Sequence, residues 1–161
     1  MANVFYYPSP AGRLGIAEDK GLIEQIFFAD IEDRRKAGYD LVETPIIKEA
    51  AKQLDEYFAG KRKDFDLPLK FIGTDFQKKV WQALTEIPYG QLRSYKDIAI
   101  AVDSPKGFRA VGLANNRNPI VIVVPCHRVV GHSGSLTGYG GGLGVKDFLL
   151  KLEGAQNFKS L

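Results

Sequence analysis

Cys126, the single cysteine of the chain, is the residue best able to do covalent chemistry. It has no partner for an intrachain disulfide, so any chemical role belongs to the free thiol. His127 follows directly, and an imidazole that draws the thiol proton raises the fraction of nucleophilic thiolate. The pair is therefore a candidate nucleophile and base. The structural alternative is that Cys126 is a small core residue, because free cysteines are among the most buried residue types.

A working histidine needs a third group that fixes its tautomer and orientation. Glu153 is the candidate, near the end of a helix predicted over about residues 145–152. Without that partner it would be interpreted as a solvated charge at a helix end. Neighbours on an extended strand point to opposite faces, so a contact between Cys126 and His127 needs a turn there or a bridging water.

The segments around Cys126 are predicted to be buried and close to a ligand. Residues 120–124 are a continuous β-branched run, which is typical of a short buried strand. The glycine-rich segment 138–144 lacks the Gly-Lys-Ser/Thr of a phosphate loop and the spacing of the dinucleotide fingerprint. Its glycines instead predict a backbone that approaches a ligand closely, with Tyr139 as the large side chain over the pocket.

Helices are predicted through most of the C-terminal half. Capping boxes at Thr74 and Ser94 each open a helix, the second running over about residues 95–102. Ser104-Pro105 supplies an N-cap and a first-turn proline for a third helix, which reaches about residue 115. Two short helices joined by so tight a turn indicate either a helix-turn-helix or an αα-hairpin that packs for its own sake.

The N-terminal half predicts a small α/β lobe. Residues 3–28 mix β-branched and aromatic residues with turn signals, which indicates a meander of three short strands. A polar connection follows over residues 30–41. Thr44-Pro45 then provides a cap and a first-turn proline for a helix that ends before Gly60.

The charged stretch 61–72 is predicted to be a linker, which divides the 161 residues into lobes 1–72 and 73–161. A net charge of +3 and a pI near 8.9 are compatible with nucleic-acid binding without indicating it. One cysteine and two histidines make a structural zinc site implausible. The sequence shows no membrane span and no signal peptide, so the cytoplasm is the expected compartment.

The hexapeptide Pro125-Cys126-His127-Arg128-Val129-Val130 resembles the active-site signature of the O6-alkylguanine-DNA alkyltransferases, also called methylated-DNA–protein-cysteine methyltransferases. The resemblance is dense over residues 74–154 and continues into the N-terminal half through a Ser-Pro-x-Gly-x-Leu turn. Further blocks in family order are Phe76-Gln77, Val80-Trp81, Ile87-Pro88-Tyr89-Gly90, Ser94-Tyr95, Arg109-Ala110-Val111-Gly112, Asn118-Pro119, Leu136-Thr137-Gly138-Tyr139, Lys146, Leu149-Leu150 and Glu153.

This resemblance implies an α/β fold: an N-terminal ribonuclease-H-like lobe with a three-stranded sheet and a helix, and a mainly helical C-terminal lobe with a helix-turn-helix. It implies DNA repair by single-turnover transfer of an alkyl group from O6-alkylguanine to Cys126, with O4-alkylthymine left open as a second substrate. No cofactor or metal is implied. The expected partner is double-stranded DNA, bound at the minor groove with the damaged nucleotide flipped out, by a monomer that is not attached to a membrane.

The resemblance also assigns the catalytic roles. Cys126 would accept the alkyl group and His127 would act as a base through a water. Glu153 would orient His127, and Asn118 would brace the active-site turn.

A second set of residues is assigned to DNA or substrate. Arg109 would fill the gap left by the flipped nucleotide, and Tyr95 would press on the phosphate to drive its rotation. Tyr139 would contact the guanine, whose amino group the carbonyls of Cys126 and Val129 would read. The full set is Ser94, Tyr95, Arg109, Val129, Tyr139 and Lys146.

Other functions are weighed against this one. An alkyltransferase-like protein that flips and flags lesions without repairing them replaces the cysteine, whereas Cys126 is present. A cysteine hydrolase would need an oxyanion motif that the sequence does not show. A transcription factor would need more base-reaching side chains than Arg109.

Gly140 stands where many relatives carry Ser or Ala, which leaves open one hydrogen bond to the alkylated oxygen.

Overall fold

The predicted meander forms an antiparallel sheet in the N-terminal lobe. Strand β2 (Leu14–Asp19) pairs with both β1 (Asn3–Tyr7) and β3 (Leu22–Phe28). A further two-residue strand that the sequence does not predict, β4 (Asp40–Leu41), pairs in parallel with β1, so the strand order is β3-β2-β1-β4. The computed structural model describes residues 2–30 and 38–161. Much of the predicted polar connection thus lies outside the described residues.

Helix α1 (Pro45–Phe58) starts and stops at its sequence signals. Pro45 occupies the first turn after the N-cap Thr44, where its missing N–H costs nothing. Gly60 follows the helix at a φ of +74°, a conformation that glycine adopts without a Cβ penalty. The helix packs against all three long strands. Its buried residues are Ile47, Ala50, Ala51, Gln53, Leu54 and Tyr57.

The stretch 61–72, predicted as a linker, is tied to the N-terminal lobe. The Ile23 N–H donates to the Pro68 carbonyl at 2.8 Å. The Gln53 side chain donates to the Asp66 carbonyl at 3.0 Å and accepts from its N–H at 2.9 Å. Because Gln53 is buried, these two bonds satisfy an amide that would otherwise be costly to bury. The charged composition of this stretch therefore reflects its surface position and not a free connection.

Two capping boxes begin helices of the C-terminal lobe, which starts at Gly73. Thr74 caps α2 (Asp75–Thr85) and Ser94 caps α3 (Tyr95–Ala101); in each case the side chain at N3 returns a bond to the N-cap backbone. These reciprocal bonds satisfy N–H groups that a helix start leaves without partners. Helix α5 (Leu143–Leu152) closes the lobe.

Helix α4 (Phe108–Asn116) begins later than the sequence predicts. Ser104 does not cap it; instead the Gly107 N–H donates to the Ser104 carbonyl at 2.7 Å and closes a turn. Pro105 fits this turn for the same reason that it fits a first helical turn, because its fixed φ suits both. The two short helices α3 and α4 pack against each other, as either predicted arrangement requires.

The β-branched run 120–124 is not the strand that its sequence predicts. Apart from an isolated bridge between Val121 and Val124, it folds back on itself, and the Val124 N–H donates to the Ile120 carbonyl at 3.0 Å. Ile122 has a φ of +71°, which is rare for a β-branched residue. Four of the five residues of this turn are buried and only Val123 is partly exposed, so the turn has the same continuous apolar pattern as a central strand.

Candidate active site

A buried amide fixes the turn that precedes Cys126. Asn118 donates through Nδ2 to the Val124 carbonyl at 2.7 Å, and its Oδ1 accepts from the Ile120 N–H at 3.0 Å. Asn118 is 1% exposed, so both bonds form away from competing water. The two ends of the run 120–124 are therefore held by one side chain.

Cys126 begins a short 3-10 helix, Cys126–Arg128. The chain turns here, so Cys126 and His127 are not on opposite faces of an extended strand. The thiol residue is 3% exposed, and its carbonyl accepts a 3.3 Å hydrogen bond from Nδ2 of Asn115. The sequence analysis assigns Asn115 no role. Its one distinguishing feature is that it is a polar residue on the buried face of α4.

His127 and Glu153 form a buried pair. His127 Nε2 lies 2.7 Å from Glu153 Oε2, and both side chains are fully inaccessible to solvent. Burial lowers the pKa of His127 below its ordinary value, although the hydrogen bond and charge of Glu153 oppose this. The imidazole is therefore neutral near pH 7 and donates from Nε2 to the carboxylate. Nδ1 has no hydrogen-bond partner among the described residues and keeps a lone pair that can accept a proton.

Arg128 clamps the same carboxylate. Its Nε donates to Glu153 Oε1 at 2.8 Å and its Nη2 to Oε2 at 3.1 Å, while Nη1 donates to the Ile87 carbonyl at 2.6 Å. The Gly90 N–H adds a 3.3 Å contact to Oε1. Burial alone would raise the pKa of Glu153, but the bonds and charges of His127 and Arg128 outweigh it and hold that pKa well below its usual range. Sequence reasoning assigned Arg128 no role.

Lys146 lies inside the lobe and not on its surface. It is fully buried, and its ammonium donates to the Val129 carbonyl at 2.6 Å and to the Thr137 carbonyl at 2.9 Å. Burial lowers its pKa to about 8, an effect that the nearby Cys126 partly opposes. In this arrangement Lys146 supports two backbone carbonyls and does not present its charge at the surface.

A parallel strand pair brings the start of α3 to the segment after Cys126. Strand β5 (Arg93–Ser94) pairs with β6 (Val129–Val130). Ser94 is also the N-cap of α3, where its hydroxyl accepts from the Asp97 N–H at 3.0 Å. Tyr95 follows and is half-buried. Burial raises the pKa of its hydroxyl; the hydrogen bond with Thr137 opposes this rise and Cys126 adds to it. Tyr95 and Cys126 are thus electrostatic neighbours.

The remaining candidates lie on α4 and on the glycine-rich loop. Arg109 is exposed in the first turn of α4, whose opposite face is buried. Tyr139 is half-buried between the loop glycines. A Cβ added to Gly140 would meet nothing within 4 Å, so the position has room for the Ser or Ala of many relatives. Within residues 2–30 and 38–161, no group of three or more His, Cys, Asp or Glu could hold a metal.

Two family models match the chain. One, described as the ribonuclease-like domain of 6-O-methylguanine DNA methyltransferase, covers residues 5–71, and one described as its DNA binding domain covers residues 75–155. No helix among the described residues is long and apolar enough to cross a membrane.

Relatives and solved structures agree with these matches. The chain is 51% identical over 146 residues to a methylated-DNA–protein-cysteine methyltransferase of Methanosarcina barkeri, covering 90% of this chain and 92% of that protein. It is 53% identical over 150 residues to the constitutive enzyme of that name in Bacillus subtilis, covering 90% and 91%. A crystal structure of Mycobacterium tuberculosis OGT in complex with DNA superposes with a TM-score of 0.88 at 44% identity, covering 94% of this chain and 92% of that one.

Proposed function

The chain belongs to the 6-O-methylguanine DNA methyltransferase family, and we propose that it repairs DNA by transferring an alkyl group from O6 of guanine to Sγ of Cys126. One observation carries the proposal. The residue after the single cysteine is a buried histidine whose Nε2 lies 2.7 Å from the carboxylate of Glu153, which leaves Nδ1 without a described hydrogen-bond partner and able to act as the base.

The chemistry follows from the charge states. Neutral His127 takes the proton of the Cys126 thiol through a water, and the carboxylate of Glu153 stabilises the imidazolium that results. The thiolate attacks the alkyl carbon, so a carbon–sulfur bond forms as the bond to O6 breaks, and the guanine anion takes back through water the proton held by His127. Transfer leaves an uncharged thioether at Cys126, which resists reversal because its sulfur is no longer a thiolate. With one cysteine in the chain, each molecule repairs one lesion.

O6 lies within the base stack, so the damaged nucleotide must leave the duplex before transfer. We place Arg109 in the gap, since it is exposed at the start of α4, and Tyr95 against the rotating phosphate. Minor-groove binding fits a lesion that occurs in any sequence, because shape and not base identity is read there. Ser94, beside Tyr95, completes the proposed contact with the DNA backbone.

The flipped base would be read by backbone carbonyls and by Tyr139. The Val129 carbonyl accepts from Lys146, and the Cys126 carbonyl accepts both from Nδ2 of Asn115 and from the Val129 N–H. A carbonyl oxygen has two lone pairs, so the Val129 carbonyl can accept the guanine amino group beside Lys146, whereas the Cys126 carbonyl would exchange its long 3.3 Å bond from Asn115 for it. Lys146 acts in this scheme from beneath the pocket, by fixing the Val129 carbonyl.

We further propose that the protein acts as a cytoplasmic monomer and that 1–72 and 73–161 are separate domains. Every residue assigned a role, from Ser94 to Glu153, then belongs to the C-terminal domain.

Intact-protein mass spectrometry after mixing with a duplex that carries one O6-methylguanine tests the function. The expected result is one methyl-sized increment, located on the Cys126 peptide, and at most one lesion repaired per protein molecule. Tight binding without an increment would replace the proposal with lesion flagging. If the protein shows neither DNA binding nor a mass increment, Cys126 has only a structural role.

A further inference from the structure

Thr137 contacts two residues of the proposed site at once. Its Oγ1 donates to the Tyr95 hydroxyl oxygen at 3.1 Å, and its carbonyl accepts from the same hydroxyl at 3.4 Å. That carbonyl also accepts from the Lys146 ammonium at 2.9 Å, which in turn holds the Val129 carbonyl. One threonine therefore joins the start of α3 to the support beneath the pocket.

Thr137 is exposed, but one neighbour limits where each side chain of this contact can lie. An ideal Cβ on Gly131 would lie 3.3 Å from Cγ2 of Thr137, so the methyl group occupies the space beside that glycine. A β-branched side chain has few χ1 choices, and the placed methyl directs the hydroxyl to Tyr95. The Tyr95 ring lies against α4, 3.8 Å from the Cβ position of Gly112.

The two hydrogen bonds differ in strength. The bond from the Tyr95 hydroxyl to the Thr137 carbonyl is long, at 3.4 Å, and is easily exchanged for another acceptor. The bond from Thr137 Oγ1 holds the phenolic oxygen itself. The oxygen can therefore stay in place while its proton turns to a phosphate oxygen of DNA.

We propose that Thr137 is a positioning residue that holds the Tyr95 hydroxyl for the rotating phosphate and so links nucleotide flipping to the pocket. This inference rests on the proposed function. It predicts that Thr137 matters for a lesion in duplex DNA and not for a free O6-alkylguanine base, which has no phosphate to rotate.

Single-turnover transfer rates from both substrates test the proposal. Thr137→Val keeps the shape, the methyl group and the carbonyl but removes the hydroxyl. From the usual worth of one hydrogen bond, it should slow transfer from the duplex by about 3- to 10-fold and leave the free-base rate unchanged. Thr137→Ser, which keeps the hydroxyl, should restore most of the duplex rate. Ser135→Ala removes a nearby hydroxyl that bonds to His132 and serves as the matched control.

A double-mutant cycle with Tyr95→Phe decides whether Thr137 acts through the tyrosine. In the Tyr95→Phe background, Thr137→Val should cause no further loss on the duplex. An equal loss in both backgrounds, or an equal loss with the free base, would overturn the proposal. Wild-type transfer in the same assay tests the proposed function separately; its absence would overturn both.

Discussion

Cys126 owes its proposed reactivity to polar groups that are themselves buried. His127, Arg128 and Glu153 are each at most 6% exposed, so their hydrogen bonds are strong and their geometry is fixed before substrate arrives. The bidentate clamp of Arg128 offsets the cost of burying the Glu153 charge. His127 can therefore stay neutral beside a carboxylate and act as a base.

Cys126→Ala should abolish transfer while DNA affinity stays within about twofold, because the thiol is 3% exposed and does chemistry without contributing binding surface. Mass spectrometry of the protein and titration of a fluorescent lesion duplex measure the two properties. Retained repair by this variant would contradict the assignment of the acceptor.

Secondary-structure elements place the groups that are proposed to contact DNA. Helix α4 buries Val111, Ala114 and Asn115, so its opposite face, which carries Arg109, is turned outward. The buried face reaches the site through the bond from Asn115 to Cys126. DNA bound at the outer face of α4, as proposed, would lie across this helix from the reactive segment.

Arg109→Ala should slow transfer from duplex DNA by about 10-fold or more. Without this side chain nothing occupies the gap left by the flipped base, and the unstacking cost of a few kcal/mol is no longer offset. The rate with a free O6-alkylguanine base should not change. Arg117→Ala, which removes an equal charge at the other end of α4, is the control. It should weaken DNA binding modestly without slowing transfer at saturation, and an unaltered rate for Arg109→Ala would remove that residue from its role.

The turn 120–124 depends on Asn118. Asn118→Ala removes the partner of the buried Ile120 N–H and one of two bonds to the Val124 carbonyl, which also accepts from the Cys126 N–H. This should lower the free energy of unfolding by about 1–3 kcal/mol. Urea denaturation measures this loss, and transfer should slow as well because Cys126 follows the turn. Asn116→Ala, at an exposed neighbouring position, should change stability by less than about 0.5 kcal/mol.

At the scale of the whole molecule, the buried pair His127 and Glu153 predicts that the free energy of unfolding falls in two steps as the pH is lowered. The pKa of His127 lies below 6.5 in the folded state, so the unfolded state binds more protons and stability falls as pH drops below that value. The pKa of Glu153 lies below 4.5, so its contribution is complete above pH 4.5 and declines at lower pH. Denaturation from pH 7 to 3 should show both declines. A Glu153→Gln variant that keeps the lower decline would contradict this explanation.

The sequence by itself determined the features that local signals encode. The capping boxes at Thr74 and Ser94, the first-turn Pro45 and the strand meander involve residues a few positions apart, whose physics acts before tertiary contacts form. The motif around Cys126 likewise identified the family from adjacent residues.

Only the tertiary structure decided how the site is supported. Arg128 and Glu153 are 25 positions apart, and neither residue type indicates the other in sequence. The same is true of the burial of Lys146 and of the contact from Thr137 to Tyr95, 42 positions away. The turn at Ile122 carries the continuous β-branched pattern of a buried strand, so the sequence pattern does not reveal it. Such features arise from packing between distant segments, which a linear pattern does not record.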